Sequence, residues 1–578
     1  MKDKLTNIDG RIPIFLGVTG HRDLRTEDLK KLEEKVRSFF AEMQTLYLNS
    51  PIALLSSLAE GADRLVAHVA LKLGCGLVVP LPMPIEEYKK DFKSPESLAE
   101  FEDLLGRAGK YFELPMVQGN TPENIRYDRD RRDRQYTQVG AYIARHSQIL
   151  IAIWDGILQE KFKGTSRIVD FRLKGIPEPY IPPRSPLDHI ENGPVYHIVT
   201  PRVSNNHTEG EPFSVQMRYP KESNDIEEPG VTHTSILERI DQYNRDIIGV
   251  GPLLRNGFAE SRTDLIPDDA LAILTPEQRT ILGHYAFADR LAIHFQTKSR
   301  RALIGLLVFV VIGFTCFQIY LELFRHPYVL IFYPIALAAA YSLYSFAKRR
   351  KYQNKHLDYR AVAEGQRLNL FWNIAGIKED VVEHYLRKQK SELDWIRQAI
   401  RNVTILVTGS GSEVEANPDS QHYVNYKILF DHWVNDQRDY FKKVTERDRI
   451  KLGRQERRSD MFYWIGIALA VGMLVIHGHV TEMELVHHIV IISIAVLLAL
   501  AATISGYAEK AAYSEQFKQY QRMKDIFTRA SDYLTKALNE GNKAKAQEII
   551  KELGKEALME NGDWVLLHRS RPIGVPKG

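Results

Sequence analysis

What constrains this chain most is a set of four apolar windows in its second half, each close to the length of a bilayer span. They are residues 302–321 (ALIGLLVFVVIGFTCFQIYL), 328–347 (YVLIFYPIALAAAYSLYSFA), 461–480 (MFYWIGIALAVGMLVIHGHV) and 485–507 (LVHHIVIISIAVLLALAATISGY). None of them holds an Asp, Glu, Lys or Arg. A helix needs about 20 apolar residues to cross hydrocarbon, where each backbone group must be bonded internally. The windows fall in two pairs joined by ELFRHP and TEME, so each pair is expected to be a helical hairpin with both ends on one side.

Charge selects that side. Lys298, Arg300 and Arg301 precede the first window, Lys348, Arg349, Arg350 and Lys351 follow the second, and Lys451, Arg454, Arg457 and Arg458 precede the third. The tight loops carry Glu322, Glu482 and Glu484 against Arg325. The positive-inside rule then places both termini in the cytosol of a multi-pass membrane protein. Tyr328, Tyr463, Trp464 and Tyr507 sit where interfacial aromatics belong. Small residues four apart mark helix contact faces: Ala336 with Ala340, Gly466 with Ala470, Ala468 with Gly472, Ala495 with Ala499, Ala502 with Gly506. The hairpins also read as an internal repeat, each followed by a long polar helix (YRAVAEGQRLNLFWNIAG, and YAEKAAYSEQFKQYQRMKDIFTRASDYL).

Outside the windows the chain reads as soluble. A mean hydropathy of −0.28 hides the spans because the first half is polar. A formal net charge of +4 over 578 residues argues against a dedicated nucleic-acid binder. Two cysteines, Cys75 and Cys316, allow no disulfide framework and no CxxC metal site. No metal or cofactor is expected, and His477, His479, His487 and His488 read as interfacial imidazoles. The N-terminal MKDKLTNIDGRIPIFLGVTG lacks the apolar core of a signal peptide.

Residues 12–200 alternate short apolar runs with helical patterns. Strands are expected at IPIFLGVTG, IALLSS, GLVVPLP, YFELP, QILIAIWDG and VYHIVTPR, with helices at 26–47, from EGADR to Gly74, at 96–108, at 133–146 and from KGTSRIVDFRLKG. This order implies an α/β Rossmann-like domain with a parallel sheet, followed by an all-α membrane domain of four transmembrane helices in two hairpins. Residues 1–205 form the first domain and 206–276 a connecting segment. Residues 277–401 and 423–578 form two helical units, separated by a linker at 402–422. Amphipathic helices at 277–300, 352–401, 423–458 and 509–560 are expected to form a solvated stalk. The tail around Trp564, Val565, Leu566 and Leu567 is expected to dock on another part of the protein.

Ligands of open parallel sheets bind at the carboxyl ends of strands, where helix N-termini offer free N–H groups. Three segments there are rich in phosphate-compatible residues. The first holds Gly17, Thr19, Gly20, His21 and Arg22; the second Glu60, Gly61, Asp63 and Arg64; the third Asp155, Gly156, Lys163, Gly164 and Thr165. Glycines let backbone approach a phosphate, threonine donates a hydroxyl, and arginine matches phosphate geometry. None of these runs is GxGxxG or a Walker loop, and His21 could equally cap its turn.

The segments GVTGHRDL, SSLAEGADRLVAHVALKLG, LPMPIEEYKKDF, RHSQILIAIWDG and KGTSRIVDF resemble the SLOG superfamily over residues 12–200. That group includes LOG nucleoside-monophosphate phosphoribohydrolases, DprA-like proteins and the sensing domains of TRPM channels. The basic-flanked hairpins, YRAVAEGQRLNLFWNIAG and SELDWIRQAIR resemble SLATT domains, two-helix membrane modules found beside SLOG domains in bacterial conflict systems. The resemblance implies a nucleotide-derived small-molecule ligand, made by a signal-synthesising enzyme encoded nearby, and coupling to the lipid bilayer. LOG hydrolases carry PGGxGTxxE; here FKGTSRIVDF places Ile168 at the Glu position, which argues for binding without hydrolysis. The expectation is a ligand-gated membrane effector of anti-phage defence, opening a pore or damaging the bilayer as a homo-oligomer. The alternatives are a membrane-anchored nucleotide hydrolase, with Glu60 as a substitute carboxylate, and a transporter or scaffold with a degenerate SLOG domain.

Overall fold

Short apolar runs, most of them rich in Ile, Val and Leu, build a seven-stranded sheet. The strands are β1 (Ile14–Gly20), β2 (Ile52–Leu55), β3 (Gly76–Leu81), β4 (Lys110–Glu113), β5 (Ile149–Trp154), β6 (Val195–Val199) and β7 (Val215–Arg218), in the order β4-β3-β2-β1-β5-β6-β7. The structure is a computed structural model. It describes residues 9–157, 164–183, 185, 188, 190–221, 229–386, 393–409, 425–475, 484–510 and 512–572. The first six strands are parallel and β7 runs antiparallel to β6. Every residue of β2 and β5 is buried, as a sheet covered on both faces requires.

Helices α1 (Leu29–Leu46) and α2 (Ala62–Lys72) cover one face, where Ile14, Leu16 and Val18 meet Val36, Phe39 and Val66. After α3 (Pro95–Arg107), helices α4 (Arg129–His146) and α5 (Thr165–Lys174) cover the other, with Phe15 against Ile143 and Ile168. The strand order reverses between β1 and β5, so the topological switch point lies there. The expected parallel Rossmann-like sheet is present, and it extends beyond residue 205. Strand β7 lies in the segment expected only to connect, together with α6 (Pro229–Val250) and α7 (Arg255–Leu265).

The helical half begins with α8 (Pro276–Glu322), a single helix of 47 residues that carries the first apolar window. Its start is a capping box: the Thr275 hydroxyl accepts from Gln278 N, and the Gln278 side chain accepts from Thr275 N, with Pro276 at the first position. There follow α9 (Phe332–Arg349), α10 (Tyr352–Ile374), α11 (Asp394–Val407), α12 (Asp436–Val475), α13 (Glu484–Lys510), α14 (Tyr513–Asn539) and α15 (Lys543–Arg569). Among the described residues four stretches are long and apolar enough to cross a membrane, and at most 17% of any apolar window is buried within the chain. Side chains so apolar and so uncovered need lipid or another subunit around them.

The expected contact faces are used in part. Ala336 and Ala340 are buried, and a Cβ on Gly313 would lie 3.4 Å from Ala336; Gly466 seats against Leu498. Gly472 and Gly506 meet nothing within 4 Å. The start of α13 lies beside the end of α8, because His488 Nδ1 is 2.9 Å from the Glu322 carboxylate. The repeat has a matching backbone signature. After each hairpin one non-glycine residue in the left-handed region, Lys351 (φ 53°) or Ala512 (φ 52°), breaks the chain before a helix that starts at Tyr352 or Tyr513.

Three expectations need correction. Residues 352–401 are not one helix with a solvated face but two helices, and α10 is buried on nearly every side. Its polar groups are paired from far away in sequence: Asp358 accepts from Arg239 and Trp395 and pairs with Arg569, and Arg360 joins Glu364 to Asp289. Residues 509–560 fold back on themselves, because Gly541 (φ 64°) turns the chain and Asn542 caps α15 by accepting from Lys545 N. The tail is the body of that helix, with Val565 fully buried and Trp564 against His356. The linker expected from 402 starts late, since α11 runs to Val407; residues 410–424 lie outside the described residues, as do His477 and His479.

The helical half docks on the amino ends of the strands. Asn402 of α11 donates to Pro13 O (2.8 Å) and accepts from Gln148 (3.1 Å), and Gln148 accepts from Phe15 N (2.7 Å). Asn244 of α6 brackets Ile12 through both its N–H and its carbonyl, and Asp241 takes the N–H of Asn49 and the hydroxyl of Ser50.

Candidate functional site

The carboxyl end of β1, at the switch point, opens into a cavity of about 500 Å³ between α2, α4 and α5. Its floor is Val18, Thr19 and Gly20 with Ser57, Ala59 and Asp63; its walls are Arg22, side chains of α4 and the first turn of α5. Two glycines make this shape. Gly61 (φ 79°, ψ −119°) and Gly164 (φ 71°, ψ −144°) precede α2 and α5 in closely similar left-sided conformations. At Gly61 a Cβ would lie 2.4 Å from His21 O, so only glycine lets the start of α2 reach the end of β1, where Ala62 N donates to His21 O at 3.0 Å. The first turns of α2 and α5 thereby face one space, with Ala62 N already bonded to His21 O and Gly164 and Thr165 of the α5 start lining the cavity directly.

Of the residues singled out in the sequence, Thr19, Gly20, Arg22, Asp63, Gly164 and Thr165 line this cavity. The others are placed elsewhere, each for a physical reason. Gly17 lies under α4, where a Cβ would meet Ser147 Oγ at 2.7 Å. His21 Nε2 accepts from Asp155 N at 3.0 Å, which braces the β1 turn against the β5 turn; burial lowers its pKa, against the raising charge of Asp155. Asp155 itself lies 3.3 Å from Arg202 and Gly156 is pressed against Glu209 O, so this pair holds the loop after β6. Glu60 is turned out to accept from Ser97. Arg64 is buried and spent on Leu58 O, Ser97 O and Glu100, with its guanidinium over the Phe92 ring. Lys163 lies outside the described residues.

Sequence reading missed the contribution of α4: Asp130, Asp133, Arg134, Tyr136, Thr137 and Gly140. Their spacing of three and four is a polar stripe on one helix face, ordinarily read as solvated, and Gly140 in the same stripe was the signal of a close neighbour. That neighbour is Ile168, whose Cδ1 would lie 2.4 Å from a Cβ at position 140. Arg167 of α5 is a further wall residue.

The chain was compared with protein-family models, with curated proteins and with solved structures. No match was found in any of the three. The chemistry of the cavity therefore rests on its own residues.

Three arginines, Arg22, Arg134 and Arg167, face three carboxylates, Asp63, Asp130 and Asp133. Arg22 lies over the Tyr136 ring at 5.0 Å, an orientation that leaves its N–H edges for another acceptor. Tyr136 in turn donates to Asp91, which Arg132 also holds at 2.8 Å. Asp63 is the one deeply buried acid of the floor. Burial pushes its pKa up to about 6, offset by donation from Ser57 at 2.9 Å and by the Arg22 charge. A carboxyl near neutrality beside an arginine and a helix N-terminus can bind or release a proton as an anion arrives. Among the described residues no group of three or more His, Cys, Asp or Glu side chains could hold a metal ion.

Proposed function

We propose that this chain is a ligand-controlled membrane effector whose sheet domain, of SLOG type, binds a nucleotide-derived signal. Carrying the reading is the cavity at the switch point, which combines the N-terminus of α5 with Arg22, Arg134 and Arg167 in the same chain as four bilayer-length apolar helices. Phosphate suits that N-terminus, Thr19, Thr165 and the arginines. Carboxylates of the Asp130 and Asp133 kind suit sugar hydroxyls, and Val139, Ile143 and Ile168 offer apolar surface for a base. The basic residues flanking the hairpins favour a cytosolic sheet domain and cytosolic termini. Assembly of several copies around the apolar helices, and a role in bacterial defence, belong to the same proposal and are supported by the resemblance of the hairpin segments to SLATT modules.

The ligand must act at a distance, since the helical half docks at the opposite ends of the strands. Helix α4 joins the two places. It spans about 27 Å, lines the cavity from Asp130 to Ile143 and carries Arg145 in its last turn. There Arg145 pairs with Glu191 (3.0 Å) and with Glu383, and Glu191 accepts from Arg397 and Arg401 of α11. A shift of α4 on binding would reach α11 and the buried α10 through this network.

One observation favours hydrolysis as a second reading. Ile168 leaves no carboxylate at the LOG position, and Glu60 faces away, but Asp63 lies on the cavity floor with a pKa near neutrality. Equilibrium binding of AMP, ADP, NAD and ADP-ribose to the purified full-length chain tests the main reading. Arg22→Ala and Thr165→Ala should each weaken the best ligand about tenfold or more, the loss of a charge-assisted bond, with all nucleotide recovered intact. Unchanged affinity in both places the ligand elsewhere, and release of base that Asp63→Asn abolishes makes the chain a hydrolase.

A further inference from the structure

A second and larger cavity, of about 810 Å³, lies where the apolar helices meet the polar half of the molecule. It is enclosed by α8, the start of α10, α12, the end of α13, α14 and α15. Six cations face it: Arg300, Arg301, Arg447, Lys451, Lys510 and Arg571. Among the described residues one lining carboxylate opposes them, Asp448, which lies 3.1 Å from Arg447 and 3.7 Å from Lys451. Arg571 is neutralised from outside by Glu515 at 2.5 Å, and Lys510 donates to Pro572 O at 3.2 Å. Arg300 and Arg301 are exposed and make no ion pair among the described residues. The two lining histidines add nothing to the charge, since burial pushes His356 down to about 3 and also lowers His568.

The described residues alone leave this excess of positive charge unbalanced. Its depth in the molecule says what balances it. The same wall includes Leu303 and Ile304, the opening residues of the first apolar window, and Tyr507, the last of the fourth. The cavity therefore reaches from the polar helices to the level where a bilayer's headgroups lie. Basic pockets between membrane helices at that level are headgroup sites. We propose that this cavity binds a phosphate-bearing anion, and that its source is the headgroup of an anionic phospholipid drawn from the adjoining leaflet. Trp564 and His568 of α15 line the same space, so the occupant would touch the C-terminal helix and both hairpins together. The inference rests on the membrane reading of the four helices and is independent of the sheet-domain cavity.

Native mass spectrometry of the full chain in detergent tests it. The protein is titrated with dioctanoyl phosphatidylglycerol, dioctanoyl phosphatidylcholine or inorganic pyrophosphate. Phosphatidylglycerol should bind at least tenfold more tightly than phosphatidylcholine. The preference should vanish in Arg300→Ala/Arg301→Ala and persist in Lys30→Ala/Lys35→Ala, which removes the same charge from exposed positions of α1. Failure of pyrophosphate to displace the lipid supports the lipid source. Tight pyrophosphate binding without lipid preference, lost in the arginine variant, overturns that source and leaves a site for free phosphate. Equal binding of both lipids with no pyrophosphate binding, or equal loss in the lysine control, overturns the site itself. Nucleotide binding at the sheet domain should be the same in all these variants, which keeps the two proposals separable.

Discussion

Asp63 shows at the scale of one residue how the fold sets the chemistry. Its carboxyl is buried on the cavity floor, and its pKa is displaced from 3.8 to about 6. A folded-state pKa above the unfolded one favours the protonated form in the native protein. The stability this lends is full below about pH 4 and is lost as pH rises through about 6, where the buried group ionises. The displacement corresponds to about 3 kcal/mol. Asp63→Asn should therefore raise the melting temperature of the full chain at pH 7.5 and leave it unchanged at pH 4. Nucleotide affinity of the wild type should rise as pH falls from 7 to 5, because protonation removes a negative charge facing the phosphate, and the Asn variant should lose that dependence. A melt in which wild type and variant run parallel at both pH values would contradict the burial argument. Arg64 teaches the converse. In the sequence it is as phosphate-like as Arg22, yet one is walled in by Leu58, Phe92 and Ser97 and the other faces the cavity. Residue type alone does not separate them, since the difference is made by α3, packed from another part of the chain.

At the scale of elements, the strands and spans were legible because their signals are local. Six strands stand where short apolar runs predict them, and four charge-free windows of about twenty residues, arranged in two close pairs, announce spans. Helix α4 and helix α10 were not legible in the same way. The polar stripe of α4 and the buried Asp358, Glu364 and Asn369 of α10 read as solvated faces until their partners arrive, and Arg569 reaches Asp358 across 211 residues of sequence. Strand β7 (VQMR) alternates apolar and polar residues, but it is four residues long with all of them exposed or half-buried, and it lies in a stretch read as a connection. The role given to α4 is open to a direct check. Arg145→Met keeps the bulk of the side chain and removes its bonds to Glu191 and Glu383. Nucleotide affinity should stay within about threefold of wild type, a difference under about 0.7 kcal/mol. Ligand-induced protection of α11 in hydrogen exchange should disappear. Protection of α11 that survives in the variant would mean that the signal takes another route.

At the scale of the whole molecule the chain is a sheet domain and a helical domain with opposed polarity. The cavity opens at the carboxyl ends of the strands, the helical half grips their amino ends, and the apolar helices carry little cover of their own. A ligand can shift such an assembly only by its difference in affinity for two arrangements of it. The central claim is that occupancy of the sheet-domain cavity alters what the apolar helices do in a bilayer. The most direct measurement is ion flux through liposomes containing the purified chain, with AMP, ADP, NAD or ADP-ribose added on the side of the sheet domain. At least one of these should change flux in the wild type, and that change should be absent at the same concentration in Arg22→Ala/Arg134→Ala. Flux that ignores every nucleotide, or that responds equally in the double variant, would contradict the account.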